Sequence, residues 1–358
     1  MSMPQPGTMS DLAPAISIAL ATYNGARFLE AQLASLAAQS MTPFELVVTD
    51  DRSTDETVTI LRDFATHAPF PVQVHINDTR LGYRRNFRRA ARLCTGELIA
   101  FCDQDDVWLP DKLATVVAAF ADPDVLLVYH NVRLMDAGGT LMGRLCDPDQ
   151  ERRTLALKPL PPIHFSFGLT QTFRADLRMH DDLWDMSLDH LKDEILAHDQ
   201  WYMFLALALG RVRFLTDELI HYRQHGANTY GSSGARSRWQ RLLDRFALDP
   251  VYDRRGSASA ASKAAVLRAI TERTGRTDLA EAVRCYDLLS ERLGRRYRTH
   301  SQPGMAVRAA AFARSVGAGD YCGNPWGFDW KSLPRDLLTG VLRGGLETPP
   351  SADSQSGH

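Results

Sequence analysis

Short apolar segments alternate with segments of helical periodicity over the first hundred residues of this chain. The apolar segments at 15–21, 44–49, 72–76 and 98–101 have the length of buried strands. After each of the first three, apolar residues recur at the spacing of a helix. Repeated strand–helix units of this length predict an α/β fold with a doubly wound, mostly parallel central sheet and right-handed crossovers.

The rest of the chain predicts a longer strand at 125–134, a helix at 198–209, and only helices beyond a Gly- and Ser-rich break at 226–234. We therefore expect one α/β domain followed by a helical extension. The predicted organisation is a flexible tail at 1–13, the α/β domain at 14–231, a mainly helical region at 235–346 and a disordered tail at 347–358.

Charge is unevenly distributed along the chain. The formal net charge of -2 gives no argument for a nucleic-acid partner, and none is expected. The region 235–346 carries 20 Lys and Arg residues against 11 Asp and Glu residues. Such an excess is typical of a membrane-surface or acidic-partner face, although a solvated helical surface explains it equally well.

Cysteine usage and apolar run length predict the compartment. The five cysteines are scattered and form no CxxC pair, which favours a reducing environment. The first residues lack the pattern of a signal peptide, and no apolar run approaches the ~18 residues of a membrane span. A cytoplasmic location is expected, with peripheral contact at the inner face of the membrane as an open alternative.

Three carboxylates follow the apolar segment at 98–101 within four positions, at Asp103, Asp105 and Asp106. In open α/β sheets, ligands bind at the carboxyl ends of strands. Carboxylates this close raise each other's pKa unless a cation intervenes, and hard oxygen ligands suit Mg²⁺ or Mn²⁺. The run predicts a metal site, while a capped loop before a helix that begins near Pro110 is the alternative.

Three other polar clusters follow predicted strands. They are Thr22-Tyr23-Asn24-Gly25, Asp50-Asp51-Arg52-Ser53-Thr54-Asp55, and Arg80-Leu81-Gly82 with the basic helix after it. An ordinary turn, helix capping and a solvated basic face would explain each one separately. In a doubly wound sheet all of them meet the acidic run at one edge, which favours a site for a nucleotide and its diphosphate.

The clusters at 22–25 and 50–55, followed by Gly96-Glu97 and Asp103-Gln104-Asp105-Asp106, resemble family 2 glycosyltransferases with the GT-A fold, over residues from about 15 to about 231. Within that family the chain is similar to bacterial rhamnosyltransferase-like members that assemble cell-surface polysaccharides. The residues that carry the closer similarity are His198-Asp199-Gln200-Trp201, Leu209-Gly210 and Tyr222-Arg223-Gln224-His225-Gly226-Ala227-Asn228.

The resemblance implies a role for each matching residue. The nucleotide-sugar would contact Thr22, Tyr23 and Asn24 at the base and ribose, Asp50 and Asp51 at a uracil or thymine ring, Arg80 at the base or diphosphate, Asp103 at the ribose, and Gln104. Asp105 would bind a divalent metal, Asp106 is an adjacent candidate ligand, and His225 would complete the metal or diphosphate site. Asp199 matches the general base that deprotonates the acceptor hydroxyl.

The implied activity is metal-dependent, inverting transfer of a sugar from a UDP- or dTDP-sugar, with dTDP-rhamnose among the candidates. The acceptor would be a hydroxyl of a glycan or a lipid-linked molecule. One alternative is a sugar-nucleotide pyrophosphorylase, but that class needs a Gly-rich loop after the first strand, where Gly25 stands alone. The other is a non-catalytic nucleotide-sugar-binding protein, against which Asp103, Asp105, Asp199 and His225 argue together.

Two features depart from the family pattern or leave it open. Arg52 occupies a position that is often Gly, so the turn after Asp51 is expected to differ or to contact the donor. The segment 165–172 occupies the usual acceptor-loop region without a clean signature, and acceptor specificity stays undecided. Trp108 and Trp201 are candidates for stacking on a sugar ring or for packing in the core.

Overall fold

The computed structural model describes residues 14–149, 151, 166–225, 250–321 and 333–342. Within these residues the chain forms two compact units. The first comprises 14–149, 151, 166–181 and 197–225, and the second comprises 182–196, 250–321 and 333–342. The predicted tails and the predicted break at 226–234 lie outside the described residues, so the expected domain boundaries stay predictions.

The first half of the sheet is parallel, as the strand–helix alternation predicts. Its strands are β1 (Ile16–Thr22), β2 (Glu45–Asp50), β3 (Val72–Ile76) and β4 (Leu98–Cys102), in the order β3-β2-β1-β4. The connecting helices are α1 (Ala26–Ala37), α2 (Thr57–His67) and α3 (Gly82–Leu93). Strands β1, β2 and β4 are buried along their whole length.

The second half of the sheet is mixed. It adds β5 (Val107–Trp108), β6 (Val125–Asp136), β7 (Leu141–Arg144), β8 (Thr172–Arg174) and β9 (Arg211–Gln224). Strand β8 is antiparallel to both β4 and β6, whereas β9 is parallel to β6 and antiparallel to β5. The predicted α/β fold is confirmed, with a parallel half joined to a mixed half.

Strand β9 is continuous where the sequence predicts two short strands, at 212–215 and 219–222. The register with β6 shifts after the pair His130–Leu215, because the next pair is Asn131–Glu218. The polar residues Thr216 and Asp217 therefore form a bulge, which inserts extra residues into one strand without ending it. This bulge explains why a polar interruption in the sequence did not mark the end of the strand.

Two helices complete the first unit, α4 (Lys112–Ala118) and α5 (His198–Leu209). A 3-10 helical segment covers Ala175–Met186. The apolar core of this unit contains residues from β1, β2, β4 and β6 together with the inward faces of α1 and α4. It fixes the strands whose carboxyl ends carry the polar clusters.

The second unit is helical, as expected for the C-terminal region. Its main helices are α6 (Pro250–Thr274), α7 (Ala280–Ser301) and α8 (Met305–Gly317), followed by a short helical segment over 333–341. The buried guanidinium of Arg296 lies between the carboxylates of Asp253 and Asp336, at 3.1 and 2.6 Å. Among the described residues, no helix is both long and apolar enough to cross a membrane.

Candidate active site

The polar clusters that follow β1, β2 and β4 lie at one edge of the sheet. In the parallel register Thr22 pairs with Asp50, and Leu20 pairs with Cys102. The loops that start after these three strands therefore begin side by side. This is the arrangement that the sequence predicts.

The loops after β1 and β2 are fastened to each other by hydrogen bonds. The main-chain N–H of Asn24 donates to the Ser53 hydroxyl at 2.9 Å, and Asn24 Oδ1 accepts from the Thr54 N–H at 2.8 Å. Asn24 has a φ of 47°, a left-handed conformation that Asn tolerates better than most residues. The Asp55 carboxylate accepts from the N–H of Ala26, at the start of α1. These contacts make the two loops a single rigid rim.

Asp50 and Asp51 are buried, at 0% and 3% exposure, and protein donors surround both carboxylates. Asp50 accepts from the Thr22 hydroxyl at 2.7 Å and from the N–H and hydroxyl of Ser53 at 2.8 and 2.5 Å. Asp51 accepts three bonds of 2.7 to 2.8 Å, from the side chain of Asn77 and from the N–H groups of Leu81 and Gly82. Both acids thus hold the loops at the edge of the sheet.

Tyr23 is held in place from two sides. The Gln104 side chain accepts from the N–H of Tyr23 at 2.9 Å and donates to its carbonyl at 3.1 Å. A Cβ atom at Gly25 would lie 2.3 Å from Gln104 Oε1, so only glycine allows this approach. The guanidinium of exposed Arg80 lies 3.9 Å from the centre of the Tyr23 ring. Of the predicted nucleotide contacts in the loops after β1 and β3, Tyr23, Asn24 and Arg80 are the accessible ones.

Arg52 adopts the backbone conformation that glycine favours. Its φ is +65°, in the left-handed region that costs a residue with a Cβ atom roughly 1–2 kcal/mol. The guanidinium donates to the carbonyl of Asp78 at 2.6 Å. The turn after Asp51 therefore keeps a glycine-like backbone although the residue differs.

The three acids after β4 come together. Ligand oxygens of Asp103, Asp105 and Asp106 all lie within 4.8 Å of one another. Burial raises the pKa of Asp103 to about 8, with further raising by the charges of Asp105 and Asp199. Burial and the neighbouring acids also raise the pKa of Asp106 well above its ordinary value.

One oxygen of this acidic group has no hydrogen-bond partner. Asp106 Oδ1 accepts from the N–H of Arg223 at 3.0 Å, whereas its buried Oδ2 has none among the described residues. A divalent cation would satisfy that oxygen and remove the repulsion between the acids. The oxygen-rich donor set fits Mg²⁺ or Mn²⁺.

A buried lysine lies close to the acids. Lys112, at the start of α4, is fully buried, and its Nζ donates to the carbonyl of Leu169 at 3.1 Å and lies 3.5 Å from the centre of the Trp108 ring. Burial lowers the pKa of Lys112 to about 7, while Cys102, Asp106 and Asp103 act in the opposite direction. Its charge partly offsets the acidic group.

His225 contacts one acid of the group without belonging to it. Its Nε2 lies 2.8 Å from Asp105 Oδ2, and its ring lies 5.0 Å from that of Phe28. The Nε of Arg223 donates to the carbonyl of Asp105 at 2.8 Å. The end of β9 thus orients the acidic loop through Arg223 and His225. A histidine bonded to a ligating carboxylate in this way resembles an outer-shell partner of a metal site.

Asp199 lies at the start of α5 and is half-buried. Burial raises its pKa to about 6, although the N–H groups of Gln200 and Gly168 donate to the carboxylate and lower it. Its negative charge contributes to the raised pKa of Asp103, which means that Asp199 is within electrostatic reach of the acidic group. A carboxylate with this pKa can accept a proton near neutral pH.

The segment 166–171 is attached directly to Asp199. The buried Gln171 side chain donates from Nε2 to the Asp199 carbonyl at 3.0 Å, and also to the carbonyl and hydroxyl of Ser166 at 3.0 and 3.1 Å. A Cβ atom at Gly168 would lie 2.4 Å from His198 Nε2. The part of the predicted acceptor-loop region that the structure describes therefore packs against Asp199 and His198.

An aromatic cage fixes His198, the neighbour of Asp199. The His198 ring stacks on Phe87 at 4.0 Å and meets Phe101 edge to face at 4.7 Å. Burial lowers the pKa of His198 to about 3, and the positive charge of Arg84 adds to the effect. The ring stays neutral and anchors the first turn of α5.

Sequence reasoning missed several residues of the site and left two tryptophans undecided. Trp108 and Trp201 are 2% and 0% exposed, so both belong to the core. No role was predicted for Lys112 or Gln171. Each comes close to the site only once the chain is folded, and no sequence motif surrounds either residue. The role of Arg223 was also missed, although it lies in the segment 222–228 that carries the resemblance.

Comparison with known proteins identifies the family. Residues 17–178 match the family described as "Glycosyl transferase family 2". The chain is 28% identical over 224 residues to an uncharacterized glycosyltransferase of Nostoc sp., covering 62% of this chain and 68% of that protein. Against this protein and three mycobacterial relatives, the chain spans 61 to 68% of the relative's length.

Two further similarities extend this comparison. The chain is 23% identical over 237 residues to the dTDP-rhamnosyl transferase RfbG of Shigella flexneri, covering 62% of this chain and 78% of that protein. The structure of S. aureus TarS 1-349 in complex with UDP-GlcNAc aligns with a TM-score of 0.49 and 17% identity, over 91% of this chain and 81% of that one. The matched domain at 17–178 and the glycosyltransferase relatives support a family 2 glycosyltransferase.

Proposed function

We propose that this protein transfers a sugar from a UDP- or dTDP-sugar to a hydroxyl of a glycan or a lipid-linked acceptor, with inversion at the anomeric carbon. The family assignment supports the reaction class. The similarity to the Shigella flexneri dTDP-rhamnosyl transferase makes dTDP-rhamnose the first donor to test. Cell-surface polysaccharide, which the family resemblance implies, is the first product class to test.

The observation that carries this proposal is the position of Asp199. Its half-buried carboxylate has a pKa raised to about 6 and lies within electrostatic reach of the acids that follow β4. In the proposed step the acceptor hydroxyl gives its proton to Asp199 while its oxygen bonds to the anomeric carbon. The bond from that carbon to the diphosphate oxygen breaks. A single base opposite the leaving group produces inversion.

Asp103, Asp105 and Asp106 would hold a divalent cation, with His225 orienting Asp105. When bound, Mg²⁺ or Mn²⁺ acts as a Lewis acid that stabilises the charge of the departing diphosphate. The raised pKa values of Asp103 and Asp106 and the unpaired Asp106 Oδ2 support such a site.

The accessible side chains Tyr23, Asn24 and Arg80 would contact the nucleotide on the rim formed by the loops after β1 and β2. Arg80 is exposed and stacks on Tyr23, so its guanidinium is available to a base or a phosphate. Asp50, Asp51, Thr22 and Gln104 already have protein partners. We propose that these four shape the nucleotide site mainly by fixing its loops.

The segment 166–171 would position the acceptor. It is hydrogen-bonded to Asp199 through Gln171 and Gly168, so an acceptor resting on this segment would present its hydroxyl to the base. Geometry of this kind contributes to catalysis because it fixes the reacting atoms before the step.

The first test is a donor screen with the purified protein. Bound ligand stabilises a fold by mass action, so a thermal-shift panel of UDP-, dTDP- and GDP-sugars with Mn²⁺ should show its largest shift with a UDP- or dTDP-sugar. The donor that binds is then incubated with candidate acceptors, and NMR of the product gives the anomeric configuration. Inversion is the expected outcome. A stabilising shift with GDP-sugars alone would contradict the proposed donor class, and retention would contradict the single-base mechanism.

A further inference from the structure

Helix α8, Met305–Gly317, buries Arg308 and Ser315 beside Phe312 and exposes most of its other apolar residues. Arg308 is 6% exposed and Ser315 is 4% exposed. Arg308 donates to the carbonyls of Val341 and Gln302 at 2.8 and 3.0 Å, and the Ser315 hydroxyl donates to the carboxylate of Asp320. Surface helices normally have the opposite arrangement. Buried polar groups and exposed large apolar groups are the informative exceptions to ordinary burial.

The outward face of α8 is almost entirely apolar. Met305, Val307 and Val316 are 55%, 50% and 40% exposed, and the remaining apolar residues on this face are Ala306, Ala309, Ala310 and Ala313. Arg314 is the one exposed charged residue of α8, and the helix contains no acid. We call the seven apolar residues the α8 face.

The segment 336–342, which is bonded to α8, also exposes large apolar side chains. The bond from Arg308 to the carbonyl of Val341 ties the helix to the segment 336–342. In that segment Leu337, Leu338 and Leu342 are 41%, 49% and 54% exposed. Several large apolar side chains are therefore exposed in one part of the second unit.

In the sequence around α8, basic residues outnumber acidic ones. Between Glu291 and Asp320 the chain has six arginines and no acid. Four of them have internal partners, since Arg292 and Arg295 contact Asp320, Arg296 contacts two acids, and Arg308 contacts carbonyls. Arg298, in the last turn of α7, and Arg314 are exposed and contact no acid among the described residues. The two exposed charges without an acidic partner among the described residues of this stretch, those of Arg298 and Arg314, are therefore positive.

We propose that the α8 face, with Arg298 and Arg314, docks on the surface of an anionic phospholipid membrane. Amphipathic helices bind membranes by burying an apolar face below the headgroups while basic residues contact anionic lipids. Protein partners would require about one hydrogen bond per 100–200 Å² of interface. Apart from Arg314, the α8 face offers no side-chain group for such bonds, whereas lipid hydrocarbon needs none.

Vesicle flotation of the full-length protein tests this proposal without any nucleotide-sugar. The wild type should float with vesicles of 70% phosphatidylcholine and 30% phosphatidylglycerol, and much less with pure phosphatidylcholine. The double variant Arg298→Gln/Arg314→Gln should lower the partition coefficient about fivefold for each arginine removed. The double variant Val307→Glu/Val316→Glu should lower it about tenfold or more, because it places acids on the docking face.

A matched control is Met179→Glu, which makes the same apolar-to-acid change at a residue 68% exposed in the first unit. It should leave flotation unchanged, and circular dichroism should show the same melting temperature for all variants. The proposal is overturned if the wild type does not bind anionic vesicles, or if Val307→Glu/Val316→Glu floats like the wild type.

A second copy of the chain is the competing occupant of the α8 face. Light scattering after size exclusion would then show a dimer that Val307→Glu/Val316→Glu dissociates while vesicle binding stays unchanged, and that result would also overturn the proposal. Because flotation needs no sugar transfer, a failure here is distinguishable from a failure of the proposed enzymatic function.

Discussion

Gln171 donates a hydrogen bond from its side-chain Nε2 to the main-chain carbonyl of Asp199, over 3.0 Å. The same Nε2 donates to the carbonyl and hydroxyl of Ser166. These bonds join the segment 166–171, which we propose positions the acceptor, to Asp199, which we propose deprotonates the acceptor hydroxyl. The position of the base thus depends on a loop that carries no recognisable motif.

Replacing Gln171 with Leu should therefore impair catalysis more than donor binding. The variant loses buried hydrogen bonds, which should cost about 1–3 kcal/mol of stability, and Asp199 should lose its fixed position. We expect a lower kcat with little change in donor affinity, measured by steady-state kinetics and calorimetry. Gln39→Leu is the matched control, since Gln39 is buried and bonded to Leu109 and Leu113 in another part of the unit. A loss of kcat as large in the control would show that the effect is merely one of stability.

The raised pKa of Asp199 predicts the pH dependence of the reaction. Burial raises this pKa to about 6, so the carboxylate is protonated below that pH and cannot accept the acceptor proton. We expect kcat to fall about tenfold per pH unit below 6 and to level off above it, in a pH profile at saturating donor. A kcat that rises as the pH falls from 7 to 5 would exclude Asp199 as the base.

Replacing Gly25 with Ala should disturb the nucleotide site through Gln104. The added methyl group would lie 2.3 Å from Gln104 Oε1, which would push the Gln104 amide away from the main chain of Tyr23. Overpacking of this kind costs about 1–3 kcal/mol, and we expect weaker donor binding by isothermal titration calorimetry. Gly143→Ala is the control, because no atom lies within 4 Å of its added Cβ. Equal donor affinity in both variants would refute this role for the Gly25 turn.

The acidic group predicts that a metal and a nucleotide bind together. Adding Mn²⁺ should tighten the binding of UDP or dTDP to the wild type, and Asp105→Asn should remove most of that effect. Asp63→Asn, an exposed change on α2, should keep it. Calorimetric titrations with and without Mn²⁺ measure the difference. If Mn²⁺ leaves nucleotide affinity unchanged in the wild type, the proposed metal site is wrong.

The sequence predicted the elements whose periodicity is undisturbed. Strand β3 at 72–76 and helix α5 at 198–209 have the predicted bounds. The sequence predicts a helix over 54–64, but helix α2 begins at Thr57, because Asp55 turns back to bond with the N–H of Thr57 and of Ala26. The bulge at Thr216 and Asp217 likewise concealed a continuous strand β9. Local polar residues can cap or bulge as well as terminate, and a single sequence does not distinguish these outcomes.

The residues of the site also divide into those that the sequence could predict and those that it could not. The acids after β4 could be predicted, since they are adjacent in sequence and their mutual repulsion implies a cation. The partners of Asp50 and Asp51 could not, because the Asn77 side chain and the Leu81 N–H reach Asp51 only once β3 lies beside β2. Lys112 was missed for a similar reason, since a lysine in a helix is usually exposed.

The central claim is that Asp199 removes the acceptor proton, and Asp199→Asn tests it most directly. The amide is nearly isosteric and its Oδ1 can still accept the N–H bond of Gln200, but it cannot take up a proton. We predict that kcat falls by about 10²- to 10⁴-fold. Donor affinity measured by calorimetry should stay within about twofold, as expected when only a transition-state interaction is lost. Transfer by Asp199→Asn at the wild-type rate would contradict the mechanism.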